Sequence, residues 1–212
     1  MHYILLLKGV LIGFILASPF GPIGLVFIQR SLESDKLEGI ASGIGIASGD
    51  MFYSIISTLG VTFLYNYIID HIVILQIIAF FALLFLAIRT LKAKVSFHLG
   101  EEHKRNIFKS FGVSFLLALH NPSTIVLFAF LFGLFDIGEI MTKSNAFLLV
   151  LGIYCGSIIL WTILNHFIQK IKKTNRIDYL HKFYKLSGVL LLVISLALLY
   201  DLIALFAGWK GL

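Results

Sequence analysis

The chain has 212 residues and a net charge of +6, with 59% hydrophobic residues and only 13% charged ones. Soluble domains carry about 25% charged residues, so a water-facing globular domain is excluded. The single cysteine, Cys155, excludes an internal disulfide and a thiolate metal cluster, and reads as a small packing residue in an apolar run. The positive charge does not point to nucleic acid, because the basic residues lie in short loops between apolar runs.

About 20 apolar residues cross the hydrocarbon of a bilayer. Six windows qualify, at roughly 3–29, 38–65, 70–91, 109–134, 144–168 and 184–207. Period-two alternation is missing, and backbone groups in lipid must pair internally, so the spans are expected to be helices. The expectation is an all-α integral membrane protein of about six transmembrane helices. Lys8 leads an apolar run without a convincing cleavage site, so the first helix is expected to be retained.

The first span contains Ser18-Pro19-Phe20-Gly21-Pro22. Two prolines three apart remove two backbone donors, so the helix must kink or unwind near mid-membrane. Irregular backbone at that depth is tolerated where it is buried in protein or lines a polar cavity. The second span contains Gly39, Gly43, Gly45, Gly49 and Asp50. The glycines form small-x-x-x-small repeats that admit a close neighbouring helix. Asp50 lies halfway along the window, where an aspartate costs roughly 2.5–3.5 kcal/mol. Packing does not require it, so it suits binding of a cation, a substrate amine or a proton. Ser48, Tyr53, Ser54 and Ser57 surround it in sequence. The third span is a plain apolar run.

The linker after it, Gly100-Glu101-Glu102-His103-Lys104-Arg105-Asn106, reads as a solvated connection, and His98 and His103 lack the further ligands a metal would need. The fourth span contains His120-Asn121-Pro122-Ser123-Thr124, a second mid-span proline. His120 reads more readily as a hydrogen-bonding partner of the break than as a proton site. The fifth span repeats the close glycines, with Gly152 and Gly156, and the sixth is again plain.

The halves 1–100 and 101–212 thus match span by span: proline break, glycine pair, plain run. Three spans per half make the halves run oppositely through the membrane. An inverted repeat with helices 1 and 4 broken by proline is the plan of many secondary transporters. Of the 17 basic residues, all but Lys8, Lys143 and Lys210 fall in the loops after the first, third and fifth spans. That side is expected to be cytoplasmic, with both termini outside.

In these motifs the chain resembles the LysE/RhtB family of small bacterial amino-acid exporters, over nearly its whole length. The run S-P-F-G-P-I-G-L-V-F-I-Q-R, ending at Arg30, resembles the signature of the family's first helix. The run G-I-A-S-G-I-G-I-A-S-G-D, from Gly39 to Asp50, resembles its glycine-rich second helix, and Asn121-Pro122 resembles its fourth. Phe20 inside the proline–glycine motif, His120, and Ser123 where a lysine often follows depart from the pattern. The resemblance implies a multi-pass protein of the bacterial inner membrane that exports amino acids against protons. No cofactor or resident metal is expected, and the sequence is compatible with a homodimer. The expected site comprises Asp50, Ser18, Pro19, Gly21, Pro22, Gly45, Gly49, Tyr53, His120, Asn121, Pro122 and Ser123. The residues also admit three other readings: an exporter of another solute such as a metal ion, a non-transport assembly subunit, and an intramembrane enzyme. An enzyme would need a nucleophile–base pair or metal cluster that the spacing does not supply.

Overall fold

The computed structural model describes residues 2–19, 21–70, 72–93, 106–121, 143–174 and 178–207, with Thr124, Leu127, Phe128, Leu131, Phe132, Phe135 and Ile137. Pro122, Ser123 and the linker with His98 and His103 lie outside the described residues, as does the boundary between the two expected halves. Seven helices are described: α1 (His2–Leu16), α2 (Gly21–Glu33), α3 (Lys36–Asp70), α4 (Ile72–Lys92), α5 (Ile107–Leu119), α6 (Lys143–Thr174) and α7 (Asp178–Phe206). The described residues contain no strand.

Lys36–Thr58, Asn145–Thr174 and Asp178–Ala204 are each long and apolar enough to cross a bilayer alone. Tyr3–Leu16 and Ile107–Leu119 are apolar but shorter. Large apolar side chains face outward along the bundle, among them Phe81, Phe85, Phe147, Val193 and Ile203. In water that surface would aggregate; in lipid it is the expected exterior. Several helices outrun their apolar windows. α6 extends to Thr174, and α7 begins at Asp178, so Lys182 and Lys185, expected in a loop, are helical. A helix needs hydrophobicity only where it meets lipid, and basic ends snorkel beyond it.

The first apolar window is two helices. α1 ends at Leu16, and the chain tightens there: the Ala17 N–H donates to Gly13 O at 3.0 Å and the Ser18 N–H to Ile15 O at 3.1 Å. Pro19 has no N–H to continue the ladder, and α2 starts at Gly21. Pro22 stands in its first turn, where no donor is needed. α2 and α3 are separated by Ser34 and Asp35 alone. Asp35 Oδ1 caps α3 by accepting from the Glu38 N–H at 2.8 Å. α6 grips this turn through its backbone: Asn165 Nδ2 donates to Lys36 O at 2.9 Å, Gln169 Nε2 to Ser31 O at 2.7 Å, and Lys172 Nζ to Ser34 O at 3.2 Å.

The most extensive helix contacts are α1 with α6, α3 with α5, α4 with α7, and α3 with α6. The first two depend on missing side chains. A Cβ at Gly9 would strike the Leu149 carbonyl oxygen, and one at Gly13 that of Ile153. A Cβ at Gly45 would strike the Phe111 carbonyl, and one at Gly49 the Ala118 side chain. In both pairs the residue numbers rise together, so α1 runs parallel to α6 and α3 parallel to α5. On α3, Gly39 meets Asn165 and Gly43 meets Trp161, so α3 runs antiparallel to α6. Two apolar cores fill the bundle. One gathers Ile12, Leu83, Phe128, Leu149 and Leu191; the other gathers Phe27, Ile46, Trp161, Ile168 and Leu180.

These contacts predict that Gly9→Val and Gly152→Leu lower thermal stability in detergent by at least about 1–3 kcal/mol, since a backbone neighbour cannot move aside. Gly112 has nothing within 4 Å of an added Cβ. Gly112→Ala should leave stability unchanged or raise it by up to about 1 kcal/mol. Thermal unfolding of the purified variants checks both.

Candidate functional site

Asp50 is 4% exposed. The Ser157 hydroxyl of α6 donates to its Oδ2 at 2.7 Å. Its neighbours on α3 are turned elsewhere. Ser54 Oγ donates to Met51 O at 2.7 Å and Ser48 Oγ to Ile44 O at 2.8 Å, each to its own backbone.

The interruption near Ser18 is tied into the bundle. Ser187 Oγ of α7 donates to Tyr184 O of its own helix at 2.7 Å and lies 3.2 Å from the Pro19 carbonyl, a longer second contact for the same hydroxyl proton; that carbonyl also packs against Gly24, which has no room for a side chain. Ser18 Oγ donates to Phe14 O at 3.4 Å, within its own turn.

The end of α5 is tied in a similar way. Helix ends leave carbonyls without an intrahelical donor, which is costly away from water. The Tyr53 hydroxyl donates to Leu119 O. The His120 N–H donates to Leu116 O and the Asn121 N–H to Ala118 O. His120 Nδ1 also lies 2.8 Å from Leu116 O, and its ring is otherwise exposed. Asn121 Nδ2 donates to Thr124 Oγ1 at 3.1 Å, bridging to the helical residues beyond.

Between these two interruptions lies a cavity of about 200 Å³. Ile23, Val26 and Phe27 of α2 form one wall, and Ile46 of α3 with Ser114 and Leu117 of α5 the other. His120 and Asn121 complete the lining. The wall is mostly apolar, and its polar groups are Ser114 within α5 and His120 and Asn121 just after it. Ile46 and Asp50 are one turn apart on one face of α3, about 6 Å along the axis.

The expected site residues therefore fall into groups. His120 and Asn121 line the cavity. Asp50 lies one turn from it and pairs with α6. Tyr53 ties α3 to the end of α5, and Ser18 and Pro19 belong to the first interruption. Gly21 opens α2, and Pro22 follows it in the helix. Gly45 and Gly49 are packed against α5. Ser157 and Ser114 were not anticipated. Ser114 carries no sequence signal among apolar neighbours. Ser157 does: it follows Gly152-x-x-x-Gly156 as Asp50 follows Gly45-x-x-x-Gly49.

Residues 14–202 match the family model described as LysE type translocator. The chain belongs to that family. The matched stretch includes the first interruption, Asp50, the end of α5 and Ser157. No curated protein and no solved structure matches the chain. Membership of the LysE family makes the protein a membrane transporter of small solutes. Among the described residues, no group of three or more His, Cys, Asp and Glu side chains is placed to hold a metal ion.

The bond from Tyr53 gives a direct expectation. Tyr53→Phe leaves the terminal carbonyl of α5 without its donor and should lower stability by about 1–3 kcal/mol. Because Tyr53→Phe keeps the ring, the loss in thermal unfolding reads the hydroxyl alone.

Proposed function

We propose that this LysE-family protein exports amino acids across a bacterial inner membrane by exchange with protons. The observation that carries this reading is Asp50, a carboxylate in the bundle interior whose partner is the Ser157 hydroxyl. A carboxylate is expensive inside a membrane and marks an ion or proton pathway. In the proposed cycle Asp50 holds either the substrate ammonium or a proton taken up outside, and one excludes the other. The apolar cavity beside Ile46 takes the substrate side chain. The start of α2 offers backbone N–H groups for the substrate carboxylate.

We further propose that residues 1–100 and 101–212 are inverted three-helix repeats, broken in helices 1 and 4 at the prolines. The pairing of helices supports this. Exchanging the halves turns the α1–α6 contact into the α5–α3 contact and returns α3–α6 and α4–α7 to themselves. Rocking of one half against the other then gives alternating access. The basic loops face the cytoplasm and both termini face outward in this reading. Lys8, on the sparsely charged side, is held by donation to the Phe135 carbonyl at 2.8 Å.

The test is efflux of radiolabelled amino acids from proteoliposomes under an imposed pH gradient. Asp50→Asn should lower gradient-driven efflux at least about tenfold, a loss of 1.4 kcal/mol or more. Efflux that stays pH-dependent in this variant would sink the role of Asp50. Ser114→Leu narrows the cavity, and should reduce efflux of bulky apolar amino acids more than that of alanine. An equal loss for both would remove the cavity from the proposal.

A further inference from the structure

The second half carries a counterpart of the Asp50 segment. Gly45-Ile46-x-x-Gly49-Asp50 is matched by Gly152-Ile153-x-x-Gly156-Ser157. The match extends to what these residues touch. A side chain at Gly45 would meet Phe111 O and Phe115 N of α5; one at Gly152 would meet Leu6 O and Val10 N of α1. Thus α5 lies on α3 as α1 lies on α6 at this point, a carbonyl oxygen and the N–H four residues on meeting each glycine; one turn further Gly49 meets the Ala118 side chain and Gly156 the Val10 carbonyl. The register holds further along. Glu38 of α3 and Asn145 of α6 are both buried polar residues, separated by the same 107 positions as Asp50 and Ser157.

A residue can bond its own counterpart at one place only, the axis that exchanges the halves. α3 and α6 are antiparallel and cross there, and the Ser157 hydroxyl reaches Asp50 Oδ2 at 2.7 Å. We infer that Asp50 and Ser157 form a single site on the axis between the halves, and that its carboxylate works from either side of the pair. This rests on the inverted-repeat reading above and extends it. Ser157 is then a positioning residue: it donates to the carboxylate and fixes its rotamer. Exchanging the two residues keeps the atoms, the volume and the hydrogen bond, and reverses only which helix supplies the donor. Rocking of one half against the other also leaves this pair in place, because a point on the axis is common to both ends of the motion.

The experiment compares Asp50→Ser, Ser157→Ala and the exchanged double variant D50S/S157D in proteoliposomes, with size-exclusion profiles and pH–efflux curves. Asp50→Ser should lose efflux about tenfold or more, and the double variant should regain most of it, as a strongly coupled pair does. Ser157→Ala should shift the pH–efflux curve, and the double variant should return it to the wild-type position. A monodisperse double variant with the low rate of Asp50→Ser overturns the inference, as does a double variant that cannot fold, because exchange across an axis preserves packing. An unshifted Ser157→Ala curve overturns the positioning role. Wild-type efflux in Asp50→Ser would instead overturn the carboxylate function proposed in the preceding section.

Discussion

The architecture depends on the absence of side chains at a few helix positions. Lipid gives two helices no hydrophobic reason to associate, so they must gain from close packing. Gly9, Gly13, Gly152 and Gly156 let the backbones of α1 and α6 touch, and Gly45 with Gly49 does the same for α3 against α5. Once those pairs are seated, the remaining geometry has little freedom. The end of α1 comes to lie among α6 and α7, the end of α5 comes to lie beside Tyr53, and Asp50 meets Ser157.

The two interruptions expose backbone groups that lipid cannot satisfy, and each is answered by a side chain from a distant helix. Ser187 of α7 shares its proton between Tyr184 O and the Pro19 carbonyl, and Tyr53 of α3 serves the Leu119 carbonyl. Such bonds contribute little net stability but are costly to lose. They also make the irregular segments depend on their neighbours, so the ends of α1 and α5 cannot shift without moving the helices that hold them. The cavity lies between these two tethered points, with Asp50 one turn away.

Much of this was legible in the sequence, for physical reasons that differ between elements. The apolar windows were legible because a bilayer imposes length and polarity at once, and α3, α6 and α7 reflect both. The interruption after Leu16 was legible because Pro19 lacks a donor. Asp50 stood out because its cost demands a reason. The helix ends were not legible: Lys182 and Lys185 are helical because polarity limits a span without ending a helix. The cavity was hidden as well, since Ile23, Val26 and Ile46 look like any lipid-facing residues until α2, α3 and α5 are assembled. Gly45 and Gly49 pack against α5, as their small-x-x-x-small spacing indicated. Ser157 was within reach of the sequence through its glycine spacing, but a lone serine in an apolar run attracts no notice until its partner is seen.

The grip of α6 on the α2–α3 turn has a consequence for how this protein can change over evolutionary time. Asn165, Gln169 and Lys172 hold the carbonyls of Lys36, Ser31 and Ser34, not their side chains. A carbonyl is present whatever residue carries it. The clasp itself therefore survives substitution of the residues it holds, and what still restricts the turn is its own side chains, Asp35 as the cap of α3 and the buried Ser31. The clasp thus depends on the side chains of α6, while the turn contributes to it only its backbone.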